Sequence, residues 1–110
     1  MPNDKVLSMI GLARRAGKIS GGAQMCEKAI KSGRSRLVII ARDISENGRK
    51  SITDACKFRS VKYIEYADKY SLAQAVGAES ARTVISVNDD SFADAVLQKY
   101  ADLQSGRNGD

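Results

Sequence analysis

The residues best placed to do chemistry lie in one segment, Lys18-Ile19-Ser20-Gly21-Gly22-Ala23-Gln24-Met25-Cys26-Glu27-Lys28. Two glycines before a helix start leave backbone N–H groups pointing outward, and the helix dipole favours an anion there. Gln24 and Lys28 are four apart and so are neighbours on one helix face. The glutamine amide donates and accepts, whereas the lysine only donates. Such a pair suits phosphates and guanine edges, since guanine O6 and N7 both accept. The pattern is not a phosphate-binding loop: G-x-x-x-x-G-K-[ST] is absent and Lys28 has the wrong spacing for it. A glycine turn followed by an ordinary capped helix would read the same, so the surroundings must decide.

Those surroundings are basic. Arg14, Arg15 and Lys18 fall near the end of a first helix, Lys31, Arg34 and Arg36 near the end of a second, and Arg42 after an apolar strand. Residues 1–50 hold 11 Lys/Arg against 4 Asp/Glu, while residues 51–110 hold 7 against 9, and the whole chain carries +5. A basic half on a small domain points to a polyanion, and nucleic acid is the first candidate.

Other chemistry is thin. The chain has no His and no Trp, which removes histidine acid–base catalysis, Ser-His-Asp triads and most zinc sites. Cys26 and Cys56 form no C-x-x-C and read as reduced core thiols. Asp89-Asp90 suits a helix cap better than a cation site. Tyr63, Tyr66, Tyr70 and Tyr100 lie outside the basic half and read as amphipathic edge or core residues rather than base-stacking platforms. No nucleophile–base set can be assembled, so the reading is non-enzymatic, with no metal and no cofactor.

The elements that must position these residues follow from periodicity. Val6, Met9, Ile10, Ala13 and Ala16 mark a first helix over about 4–16, capped by Asn3 or Asp4 and ended by Gly17. After the short extended piece Lys18-Ile19-Ser20, Gly21-Gly22 opens a second helix with Met25, Cys26, Ala29 and Ile30, stopped at Gly33. Leu37-Val38-Ile39-Ile40-Ala41 reads as a strand buried on both faces. A third helix over about 47–59 turns Ile52, Ala55, Cys56 and the stem of Arg59 inward, with Ile44 just ahead. Val61 to Tyr66 alternates as a strand. Asp68 or Ser71 caps a fourth helix that Gly77 closes, Arg82 to Val87 is another strand, and Asn88 or Asp89 caps a last helix through Leu103. This alternation predicts an α/β fold, a three-layer α/β/α sandwich around a small central mixed sheet. One domain over 1–104 and a flexible tail over 105–110 are expected. No apolar run approaches the ~20 residues of a membrane span. The N-terminal order, acid first and Arg-Arg after the apolar part, is wrong for a signal peptide. The expected setting is therefore cytoplasmic, with no membrane partner. No exposed apolar stripe is evident, so a monomer is expected.

Three stretches, LSMIGLARRAGKISGG, EKAIKSGRSRLVIIARDIS and LAQAVG, together resemble the ribosomal L-seven-Ae family of RNA-binding proteins, most of all its small bacterial members. The likeness spans about Asp4 to Tyr100. It implies the α/β/α sandwich, binding of structured RNA such as kink-turns or ribosomal RNA, and association with the ribosome. The family's recognition segment, Gly-x-Asn-Glu-x-x-Lys, reads here Gly22-Ala23-Gln24-Met25-Cys26-Glu27-Lys28. Gly22 and Lys28 match, Gln24 keeps the amide on a longer arm, and Met25 lacks the carboxylate and takes no acidic role. A second contact falls on Ala78-Glu79-Ser80, smaller and more polar than the family's usual loop. The resemblance thus implies RNA contacts at Gly21, Gly22, Gln24, Lys28, Lys31, Arg14, Arg15, Lys18, Arg42, Ala78, Glu79 and Ser80. Altered Gln24, Met25 and Ala78-Glu79-Ser80 also support a second reading, a protein-interaction module on the same fold with weak or no specific RNA binding.

Overall fold

A computed structural model describes residues 4–106. The elements run α1 (Lys5–Arg15), β1 (Ile19–Gly21), α2 (Ala23–Lys31), β2 (Leu37–Ile40), α3 (Glu46–Arg59), β3 (Lys62–Glu65), α4 (Lys69–Ala75), β4 (Val84–Val87) and α5 (Asp90–Gln104). The strands form one sheet in the order β1-β4-β2-β3. β2 and β3 are parallel, with Leu37 opposite Lys62 and Ile40 opposite Glu65. β4 runs antiparallel to both β2 and β1. The sheet is therefore mixed and the sandwich has three layers, as expected.

Side-chain alternation along β2 explains the layering. Leu37 and Ile39 enter a core with Val6, Ile10 and Ala13 of α1, Leu72 of α4 and Val96 of α5. Val38 and Ile40 enter the opposite core with Cys26 and Ile30 of α2 and Ile52 and Cys56 of α3. A central strand covered on both sides has no solvent face, hence its unbroken apolar run. Burial pushes the Cys26 thiol up to about 12, with Cys56 a secondary cause, and the Cys56 thiol to about 11. Both are free and buried, so their chemistry is suppressed.

The capping alternatives resolve locally. Asp4 accepts from Leu7 N–H (2.9 Å) at the start of α1; Asn3 lies outside the described residues. Asp68 caps α4, accepting from Tyr70 and Ser71, and Asp89 caps α5, accepting from Phe92. The third helix begins at Glu46 behind a Ser45 cap. The last strand is shorter than expected, because Arg82 and Thr83 belong to the approach loop. Arg59 differs too: it is exposed, and its guanidinium sits 5.8 Å from the Phe58 ring instead of lying on the core. Of the expected tail, Ser105 and Gly106 follow α5 directly, and 107–110 lie outside the described residues. Among the described residues no helix is long and apolar enough to cross a membrane.

Candidate nucleic-acid interface

The β1–α2 junction is held from one side only. Gly22 donates its N–H to the Val84 carbonyl (2.9 Å), which pins the junction to the start of β4. Its own carbonyl accepts from Cys26 N–H (2.9 Å), closing the first turn of α2. Gly22 is the N-cap, with φ +91° and ψ 152°, and no side chain caps the helix. The N–H groups of Ala23, Gln24 and Met25 therefore face outward at the positive end of the dipole. Nothing lies within 4 Å of where a Gly22 Cβ would stand, so the approach is open. Gln24, Met25 and Lys28 are all exposed on the same helix. Glu27, by contrast, is turned to α3, where Ser51 Oγ donates to its carboxylate (3.3 Å).

Two arginines border this end. A Cβ on Gly21 would stand 3.3 Å from Arg82 Nε, so the Arg82 side chain lies against β1. Arg82 also donates to the Ser80 carbonyl (3.2 Å), the Ser80 hydroxyl (3.0 Å) and the Ala81 carbonyl (3.2 Å), bracing the loop after α4. The Arg14 guanidinium lies over Gly77, where a Cβ would stand 3.1 Å away. Arg14, Gly21, Ala78 and Arg82 line one shallow groove. Ala78 itself packs partly on the core, while Glu79 and Ser80 are exposed.

The twelve residues named from the sequence thus separate into groups. Gly21, Gly22 and Gln24 form the helix end, with Lys28 one turn beyond Gln24 on α2, and Arg14 with Ala78, Glu79 and Ser80 flanks it across Arg82. Arg42 lies at the same end of the sheet but toward the other edge, its guanidinium 5.6 Å from the Tyr66 ring. Tyr66 packs edge-on against Tyr100 and donates its hydroxyl to Asp4 (2.8 Å). Arg15 lines a groove between α1 and α4 with Leu12, Ser71 and Gln74. Lys18 and Lys31 are at the opposite end. The Lys18 carbonyl accepts from Asn88 N–H beyond the far end of β4. Lys31 closes the last turn of α2, about 12 Å along the axis from Ala23. Arg82 is the residue that the sequence reading passed over. Only its placement against Gly21, through tertiary contact, reveals it. Among the described residues no group of three His, Cys, Asp or Glu could hold a metal.

An exposed helix start behind Gly22, framed by cations on a small three-layer sandwich, is an anion-facing arrangement on an α/β domain. The chain belongs to the Ribosomal protein L7Ae/L30e/S12e/Gadd45 family, whose model matches residues 4–97. It is 35% identical over 89 residues to the RNA-binding protein YlxQ of Bacillus subtilis, covering 81% of this chain and 88% of that one. Against the large ribosomal subunit protein eL8 of Picrophilus torridus it is 33% identical over 107 residues, 93% of this chain and 84% of the relative. A solved structure from Bacillus halodurans, a protein with unknown function, superposes with a TM-score of 0.83 at 29% identity, covering 88% of this chain and 97% of that one.

Proposed function

We propose that this protein binds structured RNA of the kink-turn type, without catalysis and without a cofactor, as a cytoplasmic monomer associated with the ribosome or its RNA. Residues 1–104 act as one binding domain. The observation that carries this reading is the start of α2 behind its Gly22 N-cap, free of any side-chain cap, with Gln24 and Lys28 exposed on one face and Arg82 and Arg14 alongside. Relatives named as RNA-binding and ribosomal proteins support it. The N–H groups of Ala23, Gln24 and Met25 hold a phosphate of the kinked strand. Gln24 and Lys28 reach guanine edges that the bend exposes, and Arg14 and Arg82 neutralise phosphates that the kink crowds together. Met25, 49% exposed, offers apolar contact where the family has a carboxylate.

A titration tests this against a kink-turn RNA and a copy with its sheared G·A pairs mutated, near ~150 mM salt so that non-specific attraction is partly suppressed. The intact kink-turn should bind more tightly. Lys28→Ala should cost about 1–3 kcal/mol, the value of a base-edge contact, and Arg34→Ala, at the other end of the sheet, should cost less. Equal losses would remove Lys28 from the centre of the site. Equal binding to both RNAs would make the surface a generic one. Binding to neither would favour a protein-interaction module on the same fold.

A further inference from the structure

The basic half of the sequence does not make one basic face. β2 and β3 are parallel and in register at Leu37 and Lys62, so the segments leading into both emerge at the same end of the sheet, opposite Gly22. α2 and α3 run the same way: Glu27 meets Ser51 about midway along, and Lys31, Phe58 and Arg59 share a groove at their ends. Arg34 follows α2, and Arg36 lines a second cleft with Arg59 and Lys62. Asp90 and Asp94 face that cleft as well, and Asp90 is taken up by Arg36 at 3.2 Å. Among the described residues, Lys31, Arg34, Arg59 and Lys62 form no ion pair. Last-turn cations offset the carbonyl ends of their own helices, which accounts for Lys31 and Arg59; Arg34 donates to Ser32 Oγ (3.0 Å) at the same end of α2, and neither role accounts for Lys62. Nor does either account for Phe58, an aromatic ring left 84% exposed beside Lys31 and Arg59.

We infer that this far end is a second RNA surface, one that takes a single-stranded segment: Phe58 stacks an unpaired base while Lys31, Arg34, Arg59 and Lys62 follow the phosphates. An exposed aromatic amid unpaired cations is the arrangement that holds single strands, because every base has a π-face and every linkage a charge. The Arg59 guanidinium, 5.8 Å from the ring centroid, keeps a cation beside the platform for the phosphate of the stacked nucleotide. The inference rests on the reading of this chain as an RNA-binding protein; of the residues expected from the sequence to contact RNA it takes only Lys31, which the fold places at this far end and not at the start of α2.

The test is fluorescence anisotropy with an unstructured oligouridylate of about 12 nucleotides, within the roughly 4–16 that an OB-fold domain of similar purpose covers. The kink-turn RNA is titrated in parallel. Phe58→Ala should weaken oligouridylate binding about five- to 100-fold and leave kink-turn binding unchanged. Lys28→Ala should do the reverse. The double variant Arg59→Ala/Lys62→Ala should flatten the dependence of log affinity on log salt by about 1.4. The inference is overturned if the wild-type protein ignores oligouridylate, if Phe58→Ala binds it undiminished, or if Lys28→Ala weakens it as much as Phe58→Ala does. Capture of polyglutamate through Phe58 with no oligouridylate binding would also overturn it, in favour of an acidic protein partner. Kink-turn binding without oligouridylate binding defeats this surface alone, and the opposite pattern defeats the α2 site alone.

Discussion

Gly22 holds a backbone conformation, φ +91° with ψ 152°, that residues with a Cβ rarely enter. Since nothing crowds the absent Cβ, the penalty of Gly22→Ala is torsional rather than steric. Chemical denaturation should show a loss of about 1–3 kcal/mol, and kink-turn affinity should fall as the helix entry shifts. An unchanged unfolding midpoint would mean that the junction relaxes freely. The types and spacing of Gly22, Gln24 and Lys28 were legible because they lie within two turns of one helix. Arg82 was not, because its role is defined by Gly21 and Ser80, which only the folded chain brings beside it. For the same reason, Lys18 and Lys31 look adjacent to the site in the sequence and yet both lie at the far end, Lys18 just before β1 and Lys31 in the last turn of α2.

Element boundaries are legible in the sequence wherever a local signal marks them. Caps at Asp4, Asp68 and Asp89 and the glycines at 17, 33 and 77 placed most helix ends within a residue or two. Two errors had tertiary causes. Arg82 and Thr83 have strand-like composition, but they lie in the loop that carries Arg82 to β1. Arg59 has the right helical phase to face inward, yet it lies out over Phe58. Asp4 shows how a cap becomes a tertiary anchor, since one carboxylate serves Leu7 N–H and the Tyr66 hydroxyl. Asp4→Ala should therefore cost about 1–3 kcal/mol, more than Tyr66→Phe, which loses only one of the two bonds. A double-mutant cycle by urea unfolding measures the shared part. Strict additivity of the two losses would show that the Tyr66 bond contributes nothing.

At the scale of the whole molecule, the buried ionisable groups set the response to alkali. Cys26 is raised to about 12 and Cys56 to about 11 by burial, and Tyr66 to about 12 by burial and then by its bond to Asp4. Each group keeps its proton in the folded state at a pH where the unfolded chain has released it. Their contribution is therefore fully present below about pH 9 and is lost as pH climbs toward 12. Unfolding free energy measured across that range should fall steadily, and Cys26→Ala/Cys56→Ala should make the fall shallower. If the double variant falls as steeply as the wild type, burial of the thiols is not the cause. By itself, the sequence determined what short-range physics controls: the apolar period of each helix, the doubly buried run of β2, the caps, the absence of histidine chemistry and the glycine-led start of α2. Only the tertiary structure decided how the charges are distributed. The parallel β2–β3 pair and the co-directional α2 and α3 send Lys31, Arg34, Arg59 and Lys62 to one end of the sheet, while Gln24 and Arg82 stay at the other and Lys28 lies one turn along α2 from Gln24. Strand direction depends on pairing between distant segments, which no local pattern of residues encodes.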